Sequence, residues 1–439
     1  MNLPRFVRVK QSFPDRRIKD IGGHIKRELS QSDMAKRVPR GARIALGVGS
    51  RGIANIATIV KAVVDFWKEQ GAHPFVIPAM GSHGAATAEG QADVLAHYGI
   101  HEATMGVPVV SALEVVPLGS TPEGIEVFID KAGYESDGIF LVPRIKWHTD
   151  FDASIESGLF KMMAIGLGKF AGAQRYHTNA YRLGLEKMVR SVGSKVFSSG
   201  KVLGGLAIQE GAHHETAGLV AVSSSGGLDE MITHEERLLA EVKSWMPRLP
   251  ADEIDILIVD EIGKDISGAG MDTKVINRNV YGQSNPWPHL PFVHRVYARA
   301  LSEHTYHSGV GVGMADVVHD RLVNDIDWNP TYINSLTAST PAAIKTPIHF
   351  PSDRKALEAI APTVGKLDLA TVTYCRIQNT LELVNVEVSE NLVDRLAANA
   401  SVVSEPYEVQ FDSAGDLLQS SGHGVAGHEE AEQPALGRF

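Results

Sequence analysis

The sequence predicts an α/β protein with two α/β domains, the larger N-terminal one built on a mostly parallel sheet. The chain has 439 residues, which is enough for two or three domains. Its hydrophobic and charged fractions, 44% and 21%, are those of a globular protein. Strand-like and helix-like segments alternate after residue 42, which is typical of a parallel sheet. We expect the active site to lie in a cleft between the two domains.

Two strand–helix repeats begin the predicted sheet. The apolar run RIALGV (43–48) predicts a buried strand, and residues 55–70 carry apolar side chains at helical spacing. The run HPFVIPA (73–79) predicts a second strand, and Thr87 is a suitable N-cap for the helix after it. The run DGIFLVP (137–143) predicts a third strand.

Changes in composition place the domain boundaries. The predicted N-terminal domain spans residues 1–250. The C-terminal domain, residues 251–411, begins in the polar segment PRLPADE and contains the strand DILIVDEI and the glycine-rich loop GKDISGAGMD. Residues 412–439 are polar and rich in Gly, Ser and Glu, so we expect a loose tail.

The composition excludes several classes of protein. The single cysteine, Cys375, excludes an intrachain disulfide and a cysteine-rich metal site, and its apolar surroundings indicate a core residue. No apolar run is long enough to cross a membrane and no leader segment begins the chain, so we expect no membrane association and a cytoplasmic location. The net charge is −10, although residues 1–43 hold twelve Lys/Arg against four Asp/Glu. Because aromatic residues do not alternate with these cations, we interpret the segment as a solvated helix and expect no nucleic-acid binding.

Polar residues follow three of the predicted strands. Arg51, His83 and His148 each come shortly after a strand ends. In open parallel sheets, ligands bind beyond the carboxyl ends of the strands, so these three side chains are expected to converge. Histidine exchanges protons near neutral pH, and two histidines on opposite faces of a substrate carbon would suit a racemase.

The segment 143–177 is the richest in residues that could perform chemistry. It carries Lys161, Lys169 and His177 among several glycines, including Gly166 and Gly168. Glycine-rich backbone beside lysine is typical of phosphate binding. In one straight helix Lys161 and His177 would lie about 24 Å apart. The glycines therefore favour a bend that lets both side chains face one site.

Four motifs in the N-terminal domain resemble a known family. They are GVGSRGI (47–53), PAMGSHGAAT (78–87), KWHTDF (146–151) and ESGLFKMMAIGLGKFAGAQRYH (156–177). With these motifs the chain resembles the lactate racemase family of nickel-pincer-nucleotide-dependent 2-hydroxyacid racemases and epimerases, outside its lactate-specific branch. The most specific feature is a lysine followed sixteen residues later by a histidine, which Lys161 and His177 match.

The resemblance implies roles for individual residues. Lys161 would tether the cofactor, His177 would ligate nickel, and His83 and His148 would be the acid/base pair. Further cofactor contacts would come from Ser50, Arg51, Gly166, Gly168 and Lys169. The implied cofactor is nickel held by pyridinium-3-thioamide-5-thiocarboxylic acid mononucleotide, and the implied reaction inverts C2 of a 2-hydroxyacid through a 2-keto intermediate. The first domain would carry catalysis and the second would close over substrate. The enzymes that make the cofactor would be transient partners, and a homo-oligomer is possible.

The C-terminal domain departs from the lactate-type pattern, because its tyrosine, glutamine and lysine substrate motif is not evident. The candidate substrate contacts include Arg51 of the first domain. The others are polar residues of the second-domain loop: Lys264, Ser267, Asp272 and Arg278. Polar side chains favour a substrate with more hydroxyl groups or a second carboxylate than lactate has.

Two other interpretations remain open. GVGSRG has the glycine spacing of a dinucleotide-binding loop, which would make the chain a nicotinamide-dependent oxidoreductase. That loop requires an acidic residue about 20 positions on, whereas Asp65 lies 13 residues after Gly52, inside the predicted helix. The chain could also be a non-catalytic cofactor-binding protein, which would need no acid/base pair.

Overall fold

A computed structural model describes residues 3–50 and 52–418, apart from the side chain of His177. The chain divides into two compact units. The N-terminal unit is Pro14–Met246, and the C-terminal unit combines the described residues before Pro14 with those from Pro247 onward.

Sixteen strands are numbered along the described part of the chain: β1 Phe6–Gln11, β2 Arg43–Val48, β3 His73–Pro78, β4 Val115–Ser120, β5 Glu126–Asp130, β6 Gly138–Val142, β7 Arg144–Ile145, β8 Val202–Glu210, β9 Thr216–Ser223, β10 Glu253–Ile262, β11 Phe292–Leu301, β12 Val317–His319, β13 Ile348–Phe350, β14 Tyr374–Ile377, β15 Asn385–Ser389 and β16 Ala400–Val402. The α-helices of the same residues are α1 Ile21–Gln31, α2 Ile56–Glu69, α3 Ala88–His97, α4 Glu102–Met105, α5 Lys131–Tyr134, α6 Gly158–Lys161, α7 Lys169–Leu183, α8 Leu185–Phe197, α9 Gly227–Trp245, α10 Thr273–Ile276, α11 Asp320–Asp325, α12 Trp328–Thr337 and α13 Asp353–Ile360. A π-helix, Met162–Gly166, follows α6.

The N-terminal unit contains a parallel-rich sheet. Its strand order is β3-β2-β6-β8-β7, with β9 antiparallel on β8. β6 and β7 both pair with β8, so β7 continues the line of β6 beyond Pro143. Every residue of β6 is buried, as expected for a parallel strand covered on both faces. The predicted α/β class is confirmed.

Helices α2 and α3 begin and end close to the positions that the sequence predicts. α2 buries one apolar face against the sheet, including Val60, Val63 and the fully buried Trp67. The predicted N-cap of α3 is confirmed, because the Thr87 hydroxyl accepts a hydrogen bond from the Gly90 N–H at 3.0 Å.

The C-terminal unit is built on an eight-stranded sheet of order β13-β12-β11-β10-β14-β15-β1-β16. β10 to β14 pair in parallel, whereas β1 pairs antiparallel with both β15 and β16. The assignment of residues 3–13 to the N-terminal domain is therefore wrong. The segment FVRVKQ places Phe6, Val7 and Val9 in the interior of the other unit.

The predicted tail also begins too early. Leu417 is buried, and its backbone N–H donates to Asp353 at 2.7 Å. Phe411 and Leu417 form an isolated β-bridge. Residues 412–418 are thus part of the C-terminal unit, and the remainder of the predicted tail lies outside the described residues.

No helix in the described part of the chain has the length and apolar character needed to cross a membrane.

Candidate active site

Two neighbouring strands of the N-terminal sheet end beside a polar pair. β2 and β3 pair in parallel over their full length, so the loops after them leave the same edge of the sheet. Ser50 follows β2 and His83 follows β3. The Ser50 hydroxyl and Nδ1 of His83 share a short hydrogen bond. Parallel pairing therefore joins residues that are 33 positions apart in the sequence.

The loop that carries His83 packs closely against the π-helix. Gly81 has a φ of +62°, and a Cβ at this position would lie 3.1 Å from the Ile165 side chain. The Gly81 N–H donates to the Gly166 carbonyl at 3.3 Å. Gln91 of α3 is buried, and its side-chain amide donates to the carbonyl oxygens of Gly81 and His83. These contacts fix the main chain of the loop while the His83 side chain remains exposed.

His148 lies three residues beyond β7 and has a defined hydrogen-bonding role. Its Nδ1 accepts from the backbone N–H of Asp150 at 3.0 Å, and its ring centroid lies 4.8 Å from that of Phe151. Because a backbone amide can only donate, Nδ1 carries no proton and the ring proton lies on Nε2. His148 therefore presents an N–H donor, whereas the Ser50 hydroxyl can either donate to His83 or accept from it.

The segment after His148 is held by α9. Glu156 is buried and accepts from the backbone N–H groups of His148 at 2.5 Å and Ala153 at 2.8 Å. Glu156 also pairs with Lys243 of α9, whose ammonium donates to Asp152 at 2.8 Å. Lys243 thus holds Asp152 and Glu156, and Glu156 in turn holds the backbone of His148.

An acidic residue of α9 lies at the start of α6. Glu235 is buried, and its carboxyl group accepts from the backbone N–H of Leu159 at 2.7 Å and of Phe160 at 3.3 Å. Burial raises the pKa of Glu235 to about 8, although these N–H groups oppose the shift. Gly158 has a φ of +86°, and a Cβ there would lie 2.7 Å from the Glu235 carboxyl carbon. The start of α6 therefore requires both the glycine and the glutamate.

Lys161 ends α6 directly before the π-helix, and its side chain is half-buried. The next residue, Met162, has its terminal methyl group 3.4 Å from the position that a Cβ on Gly49 would take. The turn that carries Lys161 therefore packs beside the loop that carries Ser50. π-Helical turns are frequent at functional sites.

Lys169 is buried away from any ligand. Its ammonium lies 3.0 Å from Asp130 and 2.6 Å from the Pro78 carbonyl, and both charged side chains are almost wholly inaccessible. Burial lowers its pKa, and Asp130 opposes this shift. The ammonium is thus occupied by internal partners, so the phosphate-binding role predicted for Lys169 is not supported.

The two candidate glycines serve close packing. A Cβ on Gly166 would lie 2.6 Å from the Ala79 carbonyl oxygen, and one on Gly168 would lie 2.7 Å from the Tyr176 ring. Protein atoms fill the space that a side chain would take at both positions, so close packing requires glycine there, and the predicted cofactor contacts of both residues stay predictions.

Arg51 and the His177 side chain lie outside the described residues, so their predicted roles stay predictions. The backbone of His177 is in α7, separated from Lys161 by the π-helix and by Lys169, whose φ is +53°. The helical path therefore breaks between the two residues.

The four C-terminal candidates do not lie at one place. Lys264 and Ser267 follow the carboxyl end of β10, and the Lys264 N–H donates to Thr305 at 3.0 Å. Asp272 is the N-cap of α10. Arg278 is buried at the opposite end of the strands, where it donates to the His294 carbonyl at 3.1 Å and to Asp316 at 3.2 Å.

Burial lowers the pKa of Arg278, and Asp316 opposes the shift. Its guanidinium group donates to main-chain carbonyls and to the Asp316 side chain inside the unit. We therefore retain Lys264 and Ser267 as substrate candidates, and we assign Asp272 and Arg278 to the framework of the C-terminal unit.

Cys375 confirms the expectation of a core residue. It lies in β14, is buried, and has its thiol pKa raised by burial and by the charge of Glu387. A protonated, inaccessible thiol is a poor nucleophile.

The geometry of a dinucleotide-binding loop is absent from the described part of this region. α2 begins at Ile56, four residues after the last glycine of GVGSRG, and Asn55 before it has a φ of +59°. Asp65 lies within α2, where it pairs with Lys61 at 2.5 Å. The oxidoreductase alternative thus lacks both the helix start and the acidic residue that it requires.

Two groups of described residues place three His or carboxylate ligand atoms close together, and both are in the C-terminal unit. In one group, His319, Asp353 and Asp416, arginines pair with both carboxylates: Arg299 lies 2.7 Å from Asp353, and Arg321 lies 3.2 Å from Asp416. These charges are balanced without a metal. The other group consists of Glu253, Asp255 and His294.

Sequence reasoning missed the positioning residues Glu235 and Lys243. Both lie on α9, more than 70 residues after the segment that they hold. A helix with charged residues ordinarily indicates a solvent-exposed face, so no local signal in the sequence identified them. The partners of Glu235 are backbone N–H groups, which every sequence contains, and those of Lys243 are two carboxylates and a backbone carbonyl.

No protein-family model matches the chain, and no curated protein matches it. Among solved structures, the chain is similar to a Thermotoga maritima protein from a structural genomics consortium, with 13% identity and a TM-score of 0.46 over 76% of this chain and 84% of that one. It is also similar to the lactate racemase apoprotein of Thermoanaerobacterium thermosaccharolyticum, with 11% identity and a TM-score of 0.46 over 79% of this chain and 98% of that one. Similarity at this level carries no argument about activity.

Proposed function

We propose that the chain inverts the C2 configuration of a 2-hydroxyacid with the help of a bound nickel-pincer nucleotide. The observation that carries the proposal is the Ser50–His83 hydrogen bond at the carboxyl edge of the parallel sheet, beside the helical turn of Lys161. The proposal rests on this geometry and on the sequence resemblance of the four motifs.

The cofactor fits part of the predicted residue set. Lys161 has a half-buried amine at the end of a short helix whose start is fixed by Glu235, and His177 would supply the imidazole donor that suits nickel. Asp130 and the Pro78 carbonyl occupy the Lys169 ammonium, so the nucleotide phosphate needs contacts other than Lys169. When bound, this cofactor would accept a hydride from C2 and return it.

The two histidines would divide the proton chemistry unequally. His83 can present an unprotonated Nε2 when its Nδ1–H donates to Ser50, which suits removal of the substrate hydroxyl proton. His148 presents Nε2–H, because Asp150 occupies its Nδ1, and would donate a hydrogen bond to a substrate oxygen. Lys264 and Ser267 are the remaining candidates for recognition of a polyhydroxy or dicarboxylic substrate.

The proposal is tested by producing the chain together with the cofactor-synthesis enzymes. Nickel content, intact mass and racemisation of a panel of chiral 2-hydroxyacids are then measured. We expect about one nickel per chain, and His83→Gln should keep the nickel but lower kcat by roughly 10²–10⁴-fold, the usual contribution of a general acid or base.

His73→Gln is the matched control. His73 is an exposed histidine at the first position of β3, the strand that precedes the His83 loop, so it lies at the opposite end of that strand. This variant should leave kcat unchanged. Lys161→Ala reports on the tether through the intact mass. Absence of both nickel and turnover, in cells that load a control racemase, would refute the proposal.

A further inference from the structure

A histidine and two carboxylates meet at the amino ends of β10 and β11, in the C-terminal unit. Glu253 and Asp255 are two residues apart on β10, so their side chains lie on the same face of the sheet. The parallel register pairs Ile254 with Val293 and Ile256 with Arg295, which places His294 opposite Asp255. The three residues therefore share one face.

The separations of the three ligand atoms suit a small divalent cation. Nε2 of His294 lies 2.9 Å from Oε1 of Glu253 and 3.9 Å from Oδ1 of Asp255, and all three atoms lie within 4.8 Å of one another. Tetrahedral zinc with bonds of about 2.0–2.1 Å requires ligand atoms roughly 3.3 Å apart. Shifts of a few tenths of an ångström to about an ångström in exposed Glu253 and partly exposed His294 would complete that geometry.

Asp255 directs one of its two carboxylate oxygens toward the cluster. Its side chain is 2% exposed, and its three hydrogen bonds among the described residues all reach Oδ2: from Lys366 at 2.5 Å, and from the N–H and hydroxyl of Thr373 at 2.7 Å each. Oδ1 accepts none of these bonds and lies 3.9 Å from Nε2 of His294, so a cation could bind it without displacing those donors.

The charge state of the cluster is also suitable. Glu253, Asp255 and Lys366 together carry one negative charge. The donors on Oδ2 hold the carboxylate in place, as outer contacts do at metal sites. The Phe292 ring packs against the His294 ring at 4.7 Å and restricts its rotation.

We propose that Glu253, Asp255 and His294 bind a divalent first-row cation of the zinc class. One imidazole and two carboxylates leave a fourth position for water. The site joins the first residues of two parallel strands, at the opposite end of β10 from Lys264. It is separate from the proposed nickel site and does not depend on the proposed function.

The test is titration of the full chain, produced without the cofactor-synthesis enzymes, with Zn²⁺ alone by calorimetry and with Co²⁺ alone by visible absorption. His294→Ala and Glu253→Gln change partly exposed side chains, and Glu253→Gln preserves shape, so a folded variant is available. The matched control is His349→Ala, which removes an exposed histidine 2.6 Å from Asp320 that belongs to neither three-ligand group of the described residues.

We expect the unmodified chain and His349→Ala to bind one more Zn²⁺ than the two cluster variants do. Loss of a direct ligand should weaken that site by more than the roughly 10–100-fold that loss of an outer contact costs. The Co²⁺ absorption should be lost in parallel. The same stoichiometry and affinity in His294→Ala as in the unmodified chain, or no Zn²⁺ bound at all, would overturn the proposal. Zn²⁺ bound by other histidines of the chain does not affect the conclusion, because the test compares the number of Zn²⁺ ions bound by the variants with the number bound by the unmodified chain.

Discussion

Replacement of Glu235 by glutamine should remove a pH dependence of stability near neutrality. Glu235 is buried with its carboxyl group at the backbone N–H groups that start α6, and its pKa is raised from 4.5 to about 8 by burial. The folded chain therefore keeps a proton that the unfolded chain releases. Because the folded state binds more protons between these two pKa values, the free energy of unfolding falls as pH rises from about 4.5 to about 8.

The magnitude follows from the two pKa values. A shift of one pKa unit corresponds to 1.36 kcal/mol. Integration between pH 5.5 and 7.5 shows that the contribution of Glu235 to the free energy of unfolding falls by about 2.5 kcal/mol. Glutamine does not titrate. The carbonyl oxygen of the glutamine can still accept from the Leu159 N–H, but the NH₂ group cannot accept from the Phe160 N–H. The variant therefore loses a pH-independent part of the free energy of unfolding. At pH 5.5 the Glu235→Gln variant should therefore have a lower free energy of unfolding than the unmodified chain. Between pH 5.5 and 7.5 the unmodified chain loses about 2.5 kcal/mol that the variant keeps, so the difference between them should change by that amount in favour of the variant.

The assay is urea unfolding at several pH values, with hydrogen exchange of peptides covering 153–166 as the local measurement. Glu236→Gln is the control, because its pKa is lowered by a hydrogen bond from Arg190 and its stabilising effect is lost only as pH falls toward the lowered value. That variant should show a constant difference across the range. If the difference between Glu235→Gln and the unmodified chain is also constant from pH 5.5 to 7.5, the group does not titrate there and the reasoning fails.

Two further changes test the packing of each unit. Lys169→Met should cost about 3–5 kcal/mol in urea unfolding, because it leaves the Asp130 carboxylate buried without its partner. Adding Asp130→Asn should recover part of that loss, and an equal cost in the single and double variants would contradict the ion-pair argument. Removal of residues 412–439 should lower the melting temperature of the C-terminal unit, since the buried Leu417 and its bond to Asp353 are lost. The decrease should exceed that caused by removal of residues 419–439 alone, and equal effects would show that 412–418 add no stability.

The parallel strands of the N-terminal unit could be predicted because both of their faces are buried. Such strands appear as continuous apolar runs, and β2, β3 and β6 lie where RIALGV, HPFVIPA and DGIFLVP predict them. The convergence of Ser50 and His83 follows from the same pattern, because parallel neighbours end at one edge. This part of the site needed only local information.

The remaining features depend on partners that are distant in the sequence. Lys169 has the surroundings of a phosphate ligand in the sequence, yet Asp130, 39 residues earlier, encloses its ammonium. Arg278 was a substrate candidate, yet Asp316 and a carbonyl oxygen hold it inside the unit. A charged residue that pairs internally and one that binds a ligand have the same local sequence, so only the three-dimensional contacts distinguish them.

The position of β1 in the C-terminal sheet has a consequence for biosynthesis. β1 leaves the ribosome before the other fifteen numbered strands, but its two neighbours, β15 and β16, are the last of them to be made. Synthesis at about 5–20 residues per second separates Gln11 from Ser389 by roughly 20–75 s. Throughout that interval the segment FVRVKQ has an unpaired, partly apolar edge, while Pro14–Met246 can already fold behind it. An N-terminal fusion partner that sequesters this segment would therefore delay closure of a sheet whose other strands are made last.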